Sequence, residues 1–239
     1  MSAFLYGLVL QWKLDIRSKT LLITCYVVPL LFFAVMGGIF SSVNPQAGQT
    51  LIQAMTVLGV SMGALIGLPP SLTELYGSDI KKVYKANGVP LSLGLVTMFL
   101  SAWLHLLTMS AIICLVAPFA FDAALPADLP LYFGSLAIFT AVSLSVGSVL
   151  GLAVKSQAKL TMYSQLLFLP SIMLSGIMFP AELLPTFLQV VGKIFPAAWG
   201  FRLLVNDGAY FDNLWPLSAV LAAAVIVCGF LLKRLRSES

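Results

Sequence analysis

Residues Leu72 to Ser92 read LTELYGSDIKKVYKANGVPLS, a charged segment between two long stretches that carry no charge. No Asp, Glu, Lys or Arg occurs in residues 20–73 or 86–121. Charged side chains are costly in hydrocarbon, so we predict that the flanks cross a membrane and the segment is a loop outside it. Its acids precede its lysines, which favours a short helix that ends near Gly88 and Pro90. With Tyr76 and Tyr84 exposed, such a loop suits protein docking. An ordinary solvated loop remains the alternative.

The composition identifies the class of protein. Hydrophobic residues make up 60% of the 239 residues and charged residues 9%, and the mean hydropathy is +1.01. Soluble domains contain about 25% charged residues, whereas a membrane span needs about 20 mostly apolar residues. We therefore predict an all-α polytopic membrane protein, with one transmembrane domain over residues 1–239 and no room for a soluble catalytic domain. Six spans are expected, at about residues 20–43, 50–70, 91–119, 131–154, 160–179 and 214–232.

The basic residues predict the orientation. Eleven of the thirteen Lys and Arg fall on one side of the six spans, and only Lys193 and Arg202 fall on the other. Because basic residues collect in cytoplasmic segments, both termini are expected in the cytoplasm, with the chain in the inner (cell) membrane. The net charge of +4 then reflects topology and gives no reason to expect a nucleic-acid partner. The three cysteines all fall within predicted spans, which argues against a disulfide framework or a metal cluster.

Residues 3–18 have the pattern of an amphipathic helix. Apolar side chains recur at helical spacing, while Gln11, Asp15 and Ser18 share another face. We expect this helix to lie in the membrane interface with Trp12 at the depth of the headgroups. The alternative is a first span that begins near Phe4. It would place several charged residues in hydrocarbon, and the insertion free energy of each would be unfavourable by about 2.5–3.5 kcal/mol. This alternative is therefore disfavoured.

Small residues recur every four positions in two of the predicted spans. They are Gly59, Gly63 and Gly67 in the second span, which Pro69-Pro70 is expected to end, and Ser143, Gly147 and Gly151 in the fourth. A face of small residues lets another helix backbone approach closely. The pattern indicates helix packing, either within one chain or across a dimer interface.

His105 is the only histidine, and it falls near the middle of the third predicted span. An ionisable residue at that depth is a functional candidate. No acidic residue occurs in any of the six spans, and proton relays usually need one. A neutral, hydrogen-bonded histidine that packs between helices is therefore the preferred interpretation.

Residues 180–200 are mostly apolar but contain too many prolines for a span. Irregular backbone at membrane depth survives only where protein or a watery cavity surrounds it. We expect two short re-entrant helices between the fifth and sixth spans, broken at Pro185 and Gly192. They would form an extracytoplasmic lid that includes Pro180, Pro185, Phe195 and Pro196. The alternative is a surface hairpin anchored by Trp199 and Phe201.

The same region carries a family resemblance. After Gln165 the chain reads LLFLPSIMLSGIMFPAELLPTFLQVVGKIFPAAWGFRLL, which resembles the signature region of ABC-2 type permeases of ABC transporters. The matching positions are Pro170, Ser175-Gly176, Phe179-Pro180, Leu184-Pro185, Leu188, Phe195-Pro196 and Arg202. The leading helix, the six spans, the loop after the second span and the cytoplasmic termini agree with the family in outline.

The resemblance implies a permease subunit without its own ATPase, in a homodimer or heterodimer with a similar permease, and a separate ABC ATPase that binds ATP and Mg²⁺. No cofactor is expected in this chain. The loop at residues 72–92 would contact the ATPase through Glu74, Gly77, Lys81, Lys82, Tyr84, Lys85 and Pro90. Many relatives carry a denser Glu/Arg cluster where Leu75 and Tyr76 stand here.

The motifs exclude several classes of function. The chain has no phosphate-binding loop of the type G-x-x-x-x-G-K-[ST], and a single histidine without an acid in the spans does not make a hydrolytic site. The resemblance implies the membrane subunit of an ATP-driven exporter, with an ATP-independent secondary transporter or channel as the alternative. The substrate is expected to be amphiphilic or hydrophobic, such as a drug, an antibiotic, a peptide or a lipid-like molecule, since the spans offer no charge to hold a strongly ionic one.

Overall fold

The computed structural model describes residues 3–43, 48–77, 84, 86–178 and 181–237. These residues form helices joined by short links, with 3₁₀ turns at residues 48–49 and at Ala181–Leu183. The helices are α1 (Ala3–Arg17), α2 (19–43), α3 (Leu51–Gly77), α4 (Ser92–Phe121), α5 (Leu129–Ala153), α6 (Gln157–Met173), α7 (Thr186–Gly192), α8 (Pro196–Val205) and α9 (Tyr210–Ser237).

Five helices of the described chain are long and apolar enough to cross a membrane: α2, α3, α4, α5 and α9. The predicted fifth span, residues 160–179, falls on α6, which has 17 residues and ends at Met173. Such a helix is roughly 26 Å long, less than the hydrocarbon thickness of about 30 Å. A sixth span is reached only if α7 and α8, which are bent by 90°, count as one. The all-helical membrane class is confirmed, but the count of six spans is not.

α3 lies at the centre of the bundle. In its most apolar stretch 83% of the residues are buried, against 22% in α2 and in α9. The prediction that Pro69-Pro70 ends this helix is wrong, because α3 continues to Gly77. A π-type turn at Gly63–Gly67 precedes the two prolines, so both fall in the first turn of a new α-helical stretch, where a missing N–H is tolerated. Pro29 of α2 likewise follows a π-type turn, at Ile23–Val27.

The recurring glycines are packing sites within the chain. A methyl group added to Gly147 would overlap the carbonyl oxygen of Ala64, and one added to Gly151 would lie 2.9 Å from the carbonyl oxygen of Pro69. Gly59 and Gly63 receive side chains of α4 in the same way. The close contacts of α3 therefore use these glycines, which supports packing within one chain over a dimer interface at these positions.

The leading helix α1 forms over nearly the predicted residues, but it packs against α4. Gly7 lies beside Thr97, and Asp15 is only 6% exposed. The polar face with Gln11 and Asp15 is turned toward the bundle, while Leu10 and Leu14 are exposed. Its placement in the membrane interface stays a prediction.

Candidate functional site

The two ends of the charged loop are tied together by Tyr76. Its hydroxyl donates to the carbonyl oxygen of Leu91 and accepts a hydrogen bond from the backbone N–H of Leu95 at 3.0 Å. Tyr76 is 5% exposed, so the prediction that it is exposed is wrong. A phenol with two backbone partners is stable in the interior, and here it holds the end of α3 against the start of α4.

The other predicted coupling residues lie around this tie. Glu74, Gly77 and Pro90 are exposed. Tyr84 is half-buried, and its ring lies beside Gly94 at the start of α4. Lys81, Lys82 and Lys85 lie outside the described residues. The structure thus brings both ends of the loop to one surface, with Glu74 and Pro90 accessible on it.

Two further segments share this surface. The hydroxyl of Thr73 donates to the carbonyl oxygens of Gly151 and Val154, at 2.9 and 3.2 Å, and Leu235 of α9 is buried beside them. We name residues 72–77, 88–92, 151–155 and 232–236 the loop surface. It contains a hollow of about 370 Å³ lined by 88–92, Leu232, Lys233 and Arg236, and a second of about 150 Å³ that includes Lys155.

The predicted lid region forms a bent pair of helices, α7 and α8. Pro185 precedes α7, α7 ends at Gly192, and Phe195 and Pro196 begin α8. Phe195 and Pro196 line a cavity of about 30 Å³ together with Ser61 of α3. Ser61 is ten residues from the start of α3, which is roughly 15 Å along the helix, so the bend reaches well into the bundle. Pro180 lies outside the described residues, and the role of a lid stays a prediction.

Sequence reasoning missed a polar cluster between α1, α2 and α4. Trp12 stacks on His105 with ring centroids 3.9 Å apart, and the hydroxyl of Tyr26 lies 2.7 Å from His105 Nδ1. Asp15 accepts hydrogen bonds from Ser101 and, at 2.8 Å, from Gln11 Nε2. The acid that the spans lack is therefore supplied by the leading helix. The shared helix face of Gln11 and Asp15 was the available sign of a polar contact. It did not indicate which helix the face would contact.

Burial governs the chemistry of Asp15. Removal from water raises the pKa of this carboxyl group above its ordinary value of 3.8, and the hydrogen bonds from Ser101 and Gln11, followed by the nearby His105, oppose the rise. Among the described residues, His105 Nε2 is buried without a hydrogen-bond partner. The hydrogen-bonding groups of the cluster are therefore only partly paired, because this ring nitrogen of His105 has no partner among the described residues.

Comparison with known families gives one match, over residues 41–232, to the family described as ABC-2 family transporter protein. The chain belongs to the ABC-2 family of transporter proteins. This ABC-2 transporter is a multi-pass membrane protein and a component of a transport system, and its family implies association with an ABC ATPase. A comparison with curated proteins found no match. The charged loop and the bent pair fall inside the matched region of the ABC-2 transporter, whereas Trp12, Asp15 and Tyr26 precede it.

Proposed function

We propose that this chain is the membrane subunit of an ATP-driven exporter, and that a separate ABC ATPase docks on its loop surface. The observation that carries the proposal is that hydrogen bonds join the loop ends to the bundle. Tyr76 ties the end of α3 to the start of α4, and Thr73 ties α3 to the end of α5. A movement of the loop would therefore displace α3, α4 and α5 together.

The charge of the loop surface suits a partner with acidic groups. Lys233 and Arg236 line the larger hollow, Lys155 lines the smaller one, and all three side chains are exposed. Glu74 is the exposed acid on the same surface. Complementary charges of this kind steer association and fix the orientation of two proteins. The proposed orientation, with both termini in the cytoplasm, places this surface where ATP is available.

The interior suits an amphiphilic or hydrophobic substrate. The cavity beside the bend is lined by hydroxyl groups of Ser61, Ser143 and Ser171 and by apolar side chains, with no charged residue among them. Because this cavity has a volume of only about 30 Å³, we propose that the pathway forms between two copies, or between this chain and a close homologue, with the bent pair as the lid at its outer end.

One observation favours the alternative of an ATP-independent transporter. The nearby Asp15 and the open ring nitrogen of His105 supply ionisable groups close to the spans, as a proton-coupled carrier requires. The exporter is preferred because the family implies an ATPase partner, and because Asp15, the acid of the polar cluster, precedes the matched residues.

The docking proposal is tested by co-purification of the ATPase with chain variants, combined with an export assay. Glu74→Ala removes an exposed charge, and the double variant with Tyr84→Ala also removes the ring beside Gly94. Loss of an interface anchor costs about 2 kcal/mol or more, so the double variant should retain less than a tenth of the ATPase. Asp122→Asn, at the opposite end of α4, is the control. If the double variant keeps the ATPase and full export, the loop surface is not the docking site.

A further inference from the structure

An open hollow of about 200 Å³ lies between the start of α3, the start of α5 and the end of α8. We name it the outer hollow. It is lined by Gln53, Asp128, Tyr132, Ser135 and the helix end at 203–206. Among the described residues that line it there is an acid and there is no Lys or Arg. It is separate from the loop surface and from the cavity beside the bend.

Gln53 gives the outer hollow an unused hydrogen-bond acceptor. Its side chain is 6% exposed, and its Oε1 has no hydrogen-bond partner among the described residues. Buried polar atoms in folded proteins are almost always paired. Gln53 is one of the residues that line the hollow, so we take its buried, unpaired oxygen as the acceptor for a donor that arrives with a ligand.

Two further features make the outer hollow electronegative. Asp128 is exposed, and its Oδ1 accepts a hydrogen bond from the backbone N–H of Leu131 at 2.9 Å. Residues 203–206 at the C-terminal end of α8 also line the hollow. A helix C-terminus carries a partial negative charge, although Arg202 stands in the same last turn. The hydroxyl of Tyr132, which is paired with Thr56 at 2.9 Å, adds another polar group.

The combination selects the chemistry of the ligand. Carbonyl, carboxylate and hydroxyl oxygens favour a cation with N–H donors, and Leu131, Leu203 and Leu204 supply apolar wall beside them. The described residues contain no group of three or more His, Cys, Asp or Glu that could hold a metal ion, and Asp128 is the one charged residue that lines this hollow.

We propose that the outer hollow binds the ammonium group of an organic amine, and that this amine is the exported molecule on its way out. The second half of the proposal rests on the proposed exporter function, whereas binding itself is measurable without transport or ATP.

The test is binding of hexylammonium to the purified chain in phosphatidylglycerol nanodiscs, measured by ligand-observed NMR, with 1-hexanol and hexanoate as probes of the same chain length. Asp128→Asn keeps a helix-capping side chain but removes the charge, and Gln53→Leu removes the open acceptor. Each variant should weaken hexylammonium binding at least tenfold. Asp122→Asn makes the same charge change at the end of α4, outside the hollow, and should alter binding less than twofold.

Several outcomes would overturn the proposal. Equal binding of hexanol or hexanoate would show that the charge is irrelevant, and wild-type affinity in both Asp128→Asn and Gln53→Leu would place the amine elsewhere. A second comparison uses nanodiscs of equal phosphatidylglycerol content, one with phosphatidylcholine and one with phosphatidylethanolamine, whose headgroup is itself an ammonium with N–H donors. If this lipid weakens hexylammonium binding tenfold in the wild type, the hollow holds a lipid headgroup and the exported amine is contradicted. None of these results bears on ATP-dependent export, which is measured separately.

Discussion

Asp15 is a buried carboxylate on a helix that precedes the family match, and it is held by Ser101 and Gln11 rather than by a base. A hydrogen bond contributes about 0.5–1.5 kcal/mol to stability, and about 1.5–3 kcal/mol where one partner is charged. The bond from Gln11 lies within α1, so the bond from Ser101 and the stacking of Trp12 on His105 are the contacts that fasten α1 to α4. Two side chains of α1 therefore determine whether this helix stays attached to the bundle.

Replacement of Asp15 by Ala is expected to loosen α1. The hydroxyl of Ser101 loses its acceptor in a buried site, so the chain should be destabilised by about 1–3 kcal/mol. Hydrogen exchange of residues 3–17 should rise, while exchange in α5 should not change. Asn at position 15 can still pair with Ser101 and should be the milder variant. Equal exchange of α1 in the wild type and in Asp15→Ala would show that the contact does not hold the helix.

The same residue predicts a dependence on pH. Burial raises the pKa of Asp15 in the folded protein above 3.8, so its protonated form is the one that the fold favours. Its contribution to stability is complete below the unfolded value and is lost as the pH rises through the folded pKa. The thermal midpoint of the wild type minus that of Asp15→Asn should therefore decrease as the pH rises above 3.8. If the difference between the two thermal midpoints stays constant above pH 3.8, the raised pKa of Asp15 is contradicted.

At the scale of elements, the charge-free stretches predict the long apolar helices, because hydrocarbon excludes charged side chains whatever the tertiary contacts. The length of α3 was not predictable. Pro69 and Pro70 normally end a helix, and only the preceding π-type turn at Gly63–Gly67, which depends on packing, lets it continue. The burial of Tyr76 has the same origin, since its two partners lie 15 and 19 residues away. Contacts between residues this far apart cannot be predicted from the local sequence.

The contact between α3 and α5 predicts the effect of a single methyl group. Gly147→Ala would force Ala64 away from α5, and overpacking of this kind costs about 1–3 kcal/mol. Gly134→Ala lies on the same helix in open space and is the matched control, because both variants gain the same helix propensity. In detergent, the thermal unfolding midpoint of Gly147→Ala should be lower than that of the wild type. The midpoint of Gly134→Ala should not be lower. Equal midpoints would mean that the two helices are farther apart than the structure shows.

At the scale of the whole molecule, the distribution of Lys and Arg predicts one orientation in the membrane. In a Cys-free background, a single cysteine at Ser156 should be protected from an impermeant thiol reagent in intact cells, while one at Ala127 should react. Both positions are exposed, at opposite ends of α5, so the two variants control for each other. Labelling at Ser156 with protection at Ala127 would invert the topology and place the loop surface outside the cell.

The proposed exporter takes its energy from a partner subunit, in keeping with a family that implies association with an ABC ATPase. Accumulation of a panel of fluorescent amphiphilic dyes in inside-out vesicles tests this assignment. We expect at least one dye to accumulate only when the chain, the ATPase and ATP are all present, and to stop when the phosphate-loop lysine of the ATPase is replaced. Accumulation by the chain alone, driven by an ion gradient without any ATPase, would contradict the exporter and support the ATP-independent alternative.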